Sequence, residues 1–304
     1  MTGRIVQGRH VGGRLVPPRA HGLRLADFSP NLSAFGPTPA STNYASAPSA
    51  QACLTDILGN DRLGDCTEAD QYHRQALRQA ASGSTVYHPA TDVVIATYSR
   101  DTGYVVGDEA TDQGGDETTV LDNAVVMGIA DTAAGLGGSL HKSAGFLLVD
   151  ATNRDLVRAA VTAFVGASIC MGLPDAWVAS MPQASGWTWD VPAGGFVADP
   201  NNGHCFSLLD QTDAKLMIGS WGMFGSITYD ALAAGGVPGG GGALYVELDE
   251  DVILASIQRA PDSLDWRALV TAFDGIGGAV PVPGAPVPAI TLLQRIEAAL
   301  QRIL

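Results

Sequence analysis

The sequence predicts a protein of the α+β class. Segments with helical periodicity cluster in the first half of the 304-residue chain, and short apolar segments bounded by turn residues fill the second half. Hydrophobic residues make up 46% of the composition, charged residues 16%, and there are 37 glycines. This composition is typical of a globular chain with many turns. Helices and strands that are segregated along the chain favour α+β over an alternating arrangement.

Apolar residues at helical spacing predict four helices, which cover residues 66–81, 91–98, 120–127 and 154–164. The first begins at Cys66 and stops before Ser82-Gly83, a sequence typical of a helix C-terminus. Its small apolar face is suited to close packing. Asn153 is placed to cap the fourth helix.

The acidic loop over 108–117 lacks the regular ligand positions of a calcium-binding loop, so we expect it to be solvated.

Apolar runs between turn residues predict five strands, which cover 145–149, 167–173, 205–209, 216–221 and 244–248. Two short helices, over 252–256 and 263–273, are predicted to follow the last strand.

The chain divides into an arm, a folded domain and a tail. We expect an arginine-rich arm with an extended wrapping segment over residues 1–50 and the folded domain over 51–275. Residues 276–304 are predicted to form a proline-rich linker and an amphipathic helix. The first 25 residues carry five arginines and no acidic residue, so the arm is either solvated or docks on an acidic surface of its own body or of a partner. The terminal helix is too short to be stable alone in water. We therefore expect a protein partner or self-association through 1–35 and 289–304, with packing on its own body as the alternative.

Charge and hydropathy exclude several classes of function. The net charge of −14 argues against nucleic-acid binding, because phosphate contacts need a basic surface. The sequence contains no uninterrupted run of 18 apolar residues, so we expect no membrane span. The N-terminus lacks the apolar core of a secretory signal, so a cytoplasmic location is expected.

The four cysteines form neither a CxxC pair nor a dense disulfide scaffold, so we expect a reducing compartment, no metal and no cofactor. Cys53, Cys170 and Cys205 are predicted to be small buried hydrophobic residues.

Cys66 carries the clearest chemical signal. A glycine-rich turn over 59–65 delivers it onto the first turn of a helix, where the helix dipole is expected to lower the thiol pKa. His204 follows 138 residues later, and an imidazole brought close by the fold can serve as the base for such a thiol. The pair predicts a thiol hydrolase.

These residues also carry a resemblance. The motifs are Gly59-Asn60-Asp61-Arg62-Leu63-Gly64-Asp65-Cys66-Thr67, the segments 96–104 and 111–114, Gly203-His204 and Trp221-Gly222. Over about residues 56–254 the chain resembles the papain-like superfamily of cysteine hydrolases. More closely, it is similar to an uncharacterised group of bacterial and phage-encoded papain-like proteins. The resemblance implies a two-lobed fold, in which a helical lobe with a central nucleophile helix faces an antiparallel β-sheet lobe.

Carried over by position, the resemblance makes Cys66 the nucleophile and His204 the general base; their separation lies in the range of about 130–150 residues typical of the family. Asn60 stands where the family has a glutamine, which implies that its amide and the Cys66 N–H hold the oxyanion. Ser220-Trp221-Gly222 matches a Ser-Trp-Gly in which the tryptophan shields the histidine from water.

One position departs from the family pattern. Gly219 stands where the family has the asparagine that orients the imidazole, and glycine has no side chain to do so. Ser220 is one possible substitute and Asp210 another. Trp221, Asp65 and Trp187 are the candidates for lining the substrate cleft.

Two classes of function follow from this reading. The first is a peptidase or amidase that acts on a peptide or a cell-wall cross-link through Cys66 and His204, with the possibility that this dyad is degenerate. The second is a non-enzymatic structural component, such as a phage virion protein, that uses the scaffold and its docking arms for assembly and would be virion-associated.

Overall fold

The computed structural model describes residues 4–7, 9–11, 24–28, 38–130, 140–141, 143, 145–238, 241–249 and 251–252. The helices are α1 (Leu25–Phe28), α2 (Pro48–Leu54), α3 (Cys66–Ser82), α4 (Thr91–Thr102), α5 (Glu117–Val126), α6 (Arg154–Ala163), α7 (Asp175–Ala179) and α8 (Tyr229–Gly235). The strands are β1 (Arg4–Val6), β2 (Arg9–Val11), β3 (Ile129–Ala130), β4 (Leu140–His141), β5 (Gly145–Val149), β6 (Ala167–Gly172), β7 (Thr188–Trp189), β8 (Gly203–Gln211), β9 (Lys215–Ser220), β10 (Met223–Thr228) and β11 (Ala243–Leu248).

Within the described residues, seven strands form one sheet in the order β5-β11-β6-β8-β9-β10-β7. All neighbours are antiparallel except β10 and β7. Strand β8 is buried along its whole length, as expected for a central strand covered on both faces. Strands β1 and β2 pair as a separate antiparallel hairpin, and β3 pairs with β4.

Helix α3 lies at the centre of the molecule. Nearly all of its side chains are buried, including charged ones, and it packs on β8 and β6 on one side and on α2 and α4 on the other. Its small apolar face, with Ala69, Tyr72 and Ala76, packs against Val93 and Val94 of α4. The predicted close packing of this face is confirmed.

A buried polar network holds α3 to the sheet. The Arg74 guanidinium bonds Asp70 of its own helix and Glu247 of β11, and Arg78 Nη1 donates to Glu247 at 3.1 Å. Burial by itself raises the pKa of Glu247, but Arg74 and Arg78 outweigh it and hold that pKa at about 2. The carboxylate is therefore charged and paired, which is the condition under which a buried charge is tolerated.

The largest apolar core lies on the other side of the sheet. Side chains of β6, β8 and β11 pack there against α6, α7 and α8. Asn153 caps α6 by accepting a hydrogen bond from the Leu156 N–H at 3.1 Å, as predicted.

The α+β class and most predicted elements are confirmed. Helix α3 ends at Ser82 with Gly83 in the left-handed conformation. The five predicted strands are present, and their ends differ from the predicted ones by at most two residues. Helix α4 extends four residues beyond the predicted end, because the left-handed Gly103 and not Tyr98 terminates it. Strand β10 was not predicted, because glycine, serine and threonine interrupt its apolar residues. Helices α2, α7 and α8 were not predicted either, since each is short and depends on tertiary packing.

Two predicted segments lie outside the described residues. They are the tail over 276–304 and most of the short helices predicted after residue 251. In the described part of the chain, every helix falls short of the length and apolar character needed to cross a membrane.

Candidate active site

Cys66 is the first residue of α3, and a tight turn delivers it there. Leu58 and Gly59 both have positive φ, at 56° and 102°, and reverse the chain before the helix begins. Gly64 has no room for a side chain, because a Cβ there would lie 2.8 Å from Oδ1 of Asp112. Cys66 itself is 6% exposed.

His204 lies on β8, opposite the start of α3. The backbone N–H of the next residue, Cys205, donates to the Cys66 Sγ at 3.4 Å. The fold therefore brings the predicted nucleophile and the predicted base together, across 138 residues of sequence. Nδ1 of His204 is buried and has no hydrogen-bond partner among the described residues, so the Cys66 thiol does not hydrogen-bond to this nitrogen.

Ser220 lies against the other ring nitrogen of His204. Its Oγ is 2.7 Å from the imidazole Nε2. The neighbouring Gly219 points to the opposite side of the strand from Ser220, because a Cβ on it would lie 3.0 Å from Cδ1 of Leu209. The Asp210 carboxylate instead accepts from the backbone N–H groups of Tyr44 and Ala45. Of the two predicted substitutes for the missing asparagine, the structure brings Ser220 to the imidazole and Asp210 elsewhere.

Trp221 covers the imidazole. The two rings are stacked with centroids 4.0 Å apart and planes 10° from parallel. Trp221 has a φ of 50° and Gly222 a φ of 68°, so these two residues form the turn between β9 and β10. Gly222 is required there, since a Cβ would lie 2.6 Å from the Thr55 carbonyl oxygen. The turn fixes the tryptophan over the histidine.

Burial decides the charge state of this pair. Burial raises the pKa of the Cys66 thiol, and the carboxyl groups of Glu68, Asp65 and Asp70 raise it further, against the hydrogen bond from Cys205. The expectation that this pKa is lowered is wrong, because desolvation and the neighbouring carboxyl groups raise it. Burial, with a smaller contribution from His10, lowers the pKa of His204 to about 3. In this conformation both groups are neutral at pH 7.

Two buried carboxyl groups lie at the start of α3, Asp65 just before its first residue and Glu68 in its first turn. Burial raises the pKa of Asp65 and of Glu68 well above their usual range. The Asn60 side chain beside Asp65 opposes this shift only in part, while Glu68 accepts from the Thr67 hydroxyl at 2.6 Å. Asp65 is fully buried, and its predicted place in the substrate cleft stays a prediction.

Asn60 and Trp187 also occupy defined places. Nδ2 of Asn60 donates to the Leu63 carbonyl at 3.0 Å, within the turn that leads to Cys66. The Trp187 ring covers Gly225 of β10, where an added Cβ would come within 2.2 Å of it, and meets Trp189 edge to face at 5.9 Å. Their predicted roles in the oxyanion site and the cleft stay predictions.

Cys170 and Cys205 form a disulfide between β6 and β8. The prediction that both are simple buried hydrophobic residues is wrong, because the two strands place them directly opposite each other. The spacing of the cysteines along the chain does not reveal a register of this kind. Glu117 lies near both sulfurs, with ligand atoms within 4.8 Å of one another, but the disulfide leaves no thiolate there to bind a metal.

Sequence reasoning missed two residues of the site, His10 and Asp112. His10 is 5% exposed and its backbone N–H donates to the Asn60 carbonyl at 3.2 Å, while its carbonyl accepts from Nε1 of Trp221 at 3.4 Å. Asp112 belongs to the acidic loop predicted to be solvated, yet it is buried and bonded to the Gly64 N–H. The sequence held one signal for this contact, which was complementary charge: the arm contains no acidic residue and the loop contains several.

Comparison with known proteins agrees with this architecture. Xylellain, a cysteine protease from Xylella fastidiosa, aligns with a TM-score of 0.56 and 13% identity over 79% of this chain and 96% of its own. A digestive procathepsin L 3 from Tenebrio molitor aligns with a TM-score of 0.52 and 13% identity over 78% of this chain and 76% of its own. No protein-family profile and no curated protein sequence matches the chain. The two-lobed, α+β fold predicted from the motifs is confirmed, and the phage-encoded subgroup stays a prediction.

Proposed function

Because the chain has the papain-like fold and carries a cysteine and a histidine on its two facing elements, we propose that it is a thiol peptidase or amidase. The observation that carries the proposal is the placement of Cys66 at the start of α3, 3.4 Å from the backbone of the strand that holds His204. Stacking by Trp221 and the contact with Ser220 hold the imidazole in one orientation. Such an arrangement suits a nucleophile, a base and a group that positions the base.

The proposed reaction transfers an acyl group through the cysteine. With Nε2–H donating to Ser220 Oγ, Nδ1 of His204 is the basic nitrogen and takes the proton from the Cys66 thiol. The sulfur attacks the amide carbonyl, the tetrahedral intermediate collapses, and His204 returns the proton to the leaving amine. Water then hydrolyses the acyl-thioenzyme, with His204 again as base, and releases the acid and the free thiol.

A non-enzymatic scaffold is the second candidate, and a specific observation favours it. Cys66 is buried, its thiol pKa is raised, and it makes no hydrogen bond with the imidazole in this conformation. A reactive cysteine is normally partly exposed and has a lowered pKa. An assembly component that keeps the fold without the chemistry would look the same.

Hydrolysis of peptide substrates by full-length variants separates the two candidates. We expect hydrolysis by the wild type or by His10→Ala, in which the contacts of the His10 ring in the cleft are removed. That activity is expected to disappear on adding Cys66→Ser or His204→Gln and to persist in Cys53→Ser, which alters a buried free cysteine away from the site. Absence of Cys66-dependent hydrolysis in both the wild type and His10→Ala would overturn the proposal in favour of the scaffold.

A further inference from the structure

The N-terminal hairpin, formed by β1 and β2, lies in the cleft beside Cys66. His10 spans the cleft through its backbone: its N–H bonds the Asn60 carbonyl on the helical side, and its carbonyl bonds the Trp221 indole on the sheet side. Gln7 and Arg9 add contacts to Gln183 and Met223 at the rim. A segment held through both backbone polar groups of one residue is bound in the way that an extended peptide is bound.

The His10 side chain enters a site built around Asp112. The imidazole Nε2 lies 3.8 Å from Oδ2 of Asp112, and both side chains are at least nine-tenths buried. Gly64 makes room for the ring, since a Cβ at that position would lie 3.2 Å from Cε1 of His10. The pocket therefore accepts a side chain that a larger residue at 64 would exclude.

Asp112 is held in place by groups that leave its charge uncompensated. Both of its oxygens accept from the Gly64 N–H at 3.1 Å, and the Tyr98 hydroxyl donates to Oδ1. These donors are neutral. Within the part of the chain that the structure describes, His10 is the one basic side chain that approaches its oxygens. Burial lowers the pKa of this imidazole against the effect of the Asp112 carboxylate, so His10 fills the pocket without supplying a permanent positive charge. A buried carboxylate with neutral donors favours a cationic partner, because an unpaired buried charge is costly.

From this geometry we propose that Asp112 is a specificity-determining residue: the cleft beside Cys66 binds a peptide with a basic side chain, and His10 is its built-in occupant. The inference rests on the proposed function for the role of the cleft, and it adds the class of substrate. The rest of the arm agrees in charge, with five arginines and no acidic residue in the first 25 positions. Peptides with a neutral or acidic side chain at this position lack the pairing and bind more weakly.

Protection of Cys66 from alkylation tests the inference without requiring turnover. Full-length His10→Ala is treated with iodoacetamide at pH 7, and modification of Cys66 is followed by peptide mass spectrometry with Cys53 as the internal reference. Blocked tripeptides that differ only in a central arginine, leucine or glutamate are added as competitors. We expect the arginine peptide to protect Cys66 at a concentration about tenfold lower than the other two. Equal protection by all three, or better protection by the leucine peptide, would overturn the inference.

Asp112→Asn in the His10→Ala background is expected to abolish the preference for arginine, whereas Asp108→Asn, on the exposed part of the same loop, is expected to keep it. A preference that survives in a folded Asp112→Asn protein contradicts the assignment. Should that variant fail to fold, His10→Arg and His10→Glu replace it in the full chain. The arginine is expected to keep Cys66 alkylation slow and the glutamate to accelerate it about tenfold, and equal rates would overturn the inference.

The two proposals fail in different ways. Selective protection by the arginine peptide without Cys66-dependent cleavage of any peptide would contradict the proposed hydrolase and support the binding site. Cleavage that depends on Cys66 but not on the charge of the peptide side chain would support the proposed hydrolase and contradict the binding site.

Discussion

The imidazole of His204 has two different environments at its two nitrogens. Nε2 contacts the Ser220 hydroxyl at 2.7 Å, while Nδ1 is buried without a hydrogen bond among the described residues. Whether this hydroxyl orients the imidazole, as an asparagine at the neighbouring position does in the family this chain resembles, stays a prediction. Gly219 cannot orient the ring, since its side of the strand faces Leu209.

If Ser220 positions the imidazole, Ser220→Ala is expected to lower kcat/KM about 10- to 100-fold, because a buried ring nitrogen loses its partner at a cost of about 1–3 kcal/mol. Ser220→Thr keeps a hydroxyl and is expected to restore most of the activity. The matched control is Ser226→Ala on the adjacent strand β10. The pH profile of kcat/KM, measured on each variant, is expected to shift for Ser220→Ala alone. An unchanged profile would exclude a positioning role.

The stability of the protein is expected to depend on pH through His204. Its pKa is about 3 in the folded state, against about 6.5 when unfolded, so the unfolded chain binds an additional proton below pH 6.5. The contribution of His204 to the free energy of unfolding is therefore fully present above pH 6.5. It falls as the pH decreases, by about 2 kcal/mol between pH 7.5 and 5. Urea unfolding of wild type and His204→Gln at both values measures the effect. The variant should lose about 2 kcal/mol less, and identical losses would contradict the burial of a neutral imidazole.

At the scale of single elements, the turn between β9 and β10 is the most constrained connection in the site. Trp221 adopts a left-handed conformation that is uncommon for a large side chain, and Gly222 approaches the backbone of Thr55. The stacking on His204 depends on this turn, because the turn sets where the indole points.

Gly222→Ala is expected to destabilise the protein by about 3 kcal/mol or more, from a left-handed alanine and a clash with the Thr55 carbonyl. Gly103→Ala is the matched control: Gly103 also has a positive φ, of 79°, but open space around it. The control should cost about 1–2 kcal/mol, from conformation alone. Chemical denaturation of both variants gives the two values, and equal costs would show that the contact at Thr55 adds nothing.

The disulfide between β6 and β8 is expected to stabilise the sheet beside the site. It closes a loop of 35 residues in the unfolded chain, which corresponds to about 3–4 kcal/mol in the chain-entropy description. Reduction of the wild type should therefore lower its Tm, whereas a Cys170→Ala, Cys205→Ala double variant should have a low Tm that reductant does not change. A wild-type Tm that is insensitive to full reduction, verified by thiol titration, would contradict this expectation.

At the scale of the whole molecule, the two lobes meet along α3 through charge as well as apolar packing. Arg74 and Arg78 reach from the helix to Glu247 on β11, and the Ser168 and Ser207 hydroxyls donate to Asp70. The position of Cys66 relative to the sheet depends on this network, because the same helix carries both.

Arg74→Met is expected to destabilise the protein by about 3–5 kcal/mol, since it leaves the buried Glu247 carboxylate with one cationic partner fewer. Arg62→Met is the control: Arg62 pairs with Asp61 on the surface and should change stability by less than about 0.5 kcal/mol. Urea unfolding at pH 7 distinguishes the two. A loss below about 1 kcal/mol for Arg74→Met would mean that the network does not hold the lobes together.

The sequence by itself determined the helices and strands that are specified by a few neighbouring residues. The Asn153 cap, the glycine after Ser82 and the alternation of apolar runs with turns depend on a few neighbouring residues, so α3, α6 and the long strands could be predicted with small errors at their ends. The motifs around Cys66, His204 and Trp221 indicated the fold and the pair of residues that it brings together.

Tertiary structure alone decided the chemical state of that pair. The direction of the Cys66 pKa depends on how much water the surrounding elements exclude, and the Cys170–Cys205 bond depends on the register of two strands far apart in sequence. The contacts of His10 with Asn60, Trp221 and Asp112 join four segments of the chain at one point. Burial, register and long-range contact are properties of the whole packing, and no short stretch of residues encodes them.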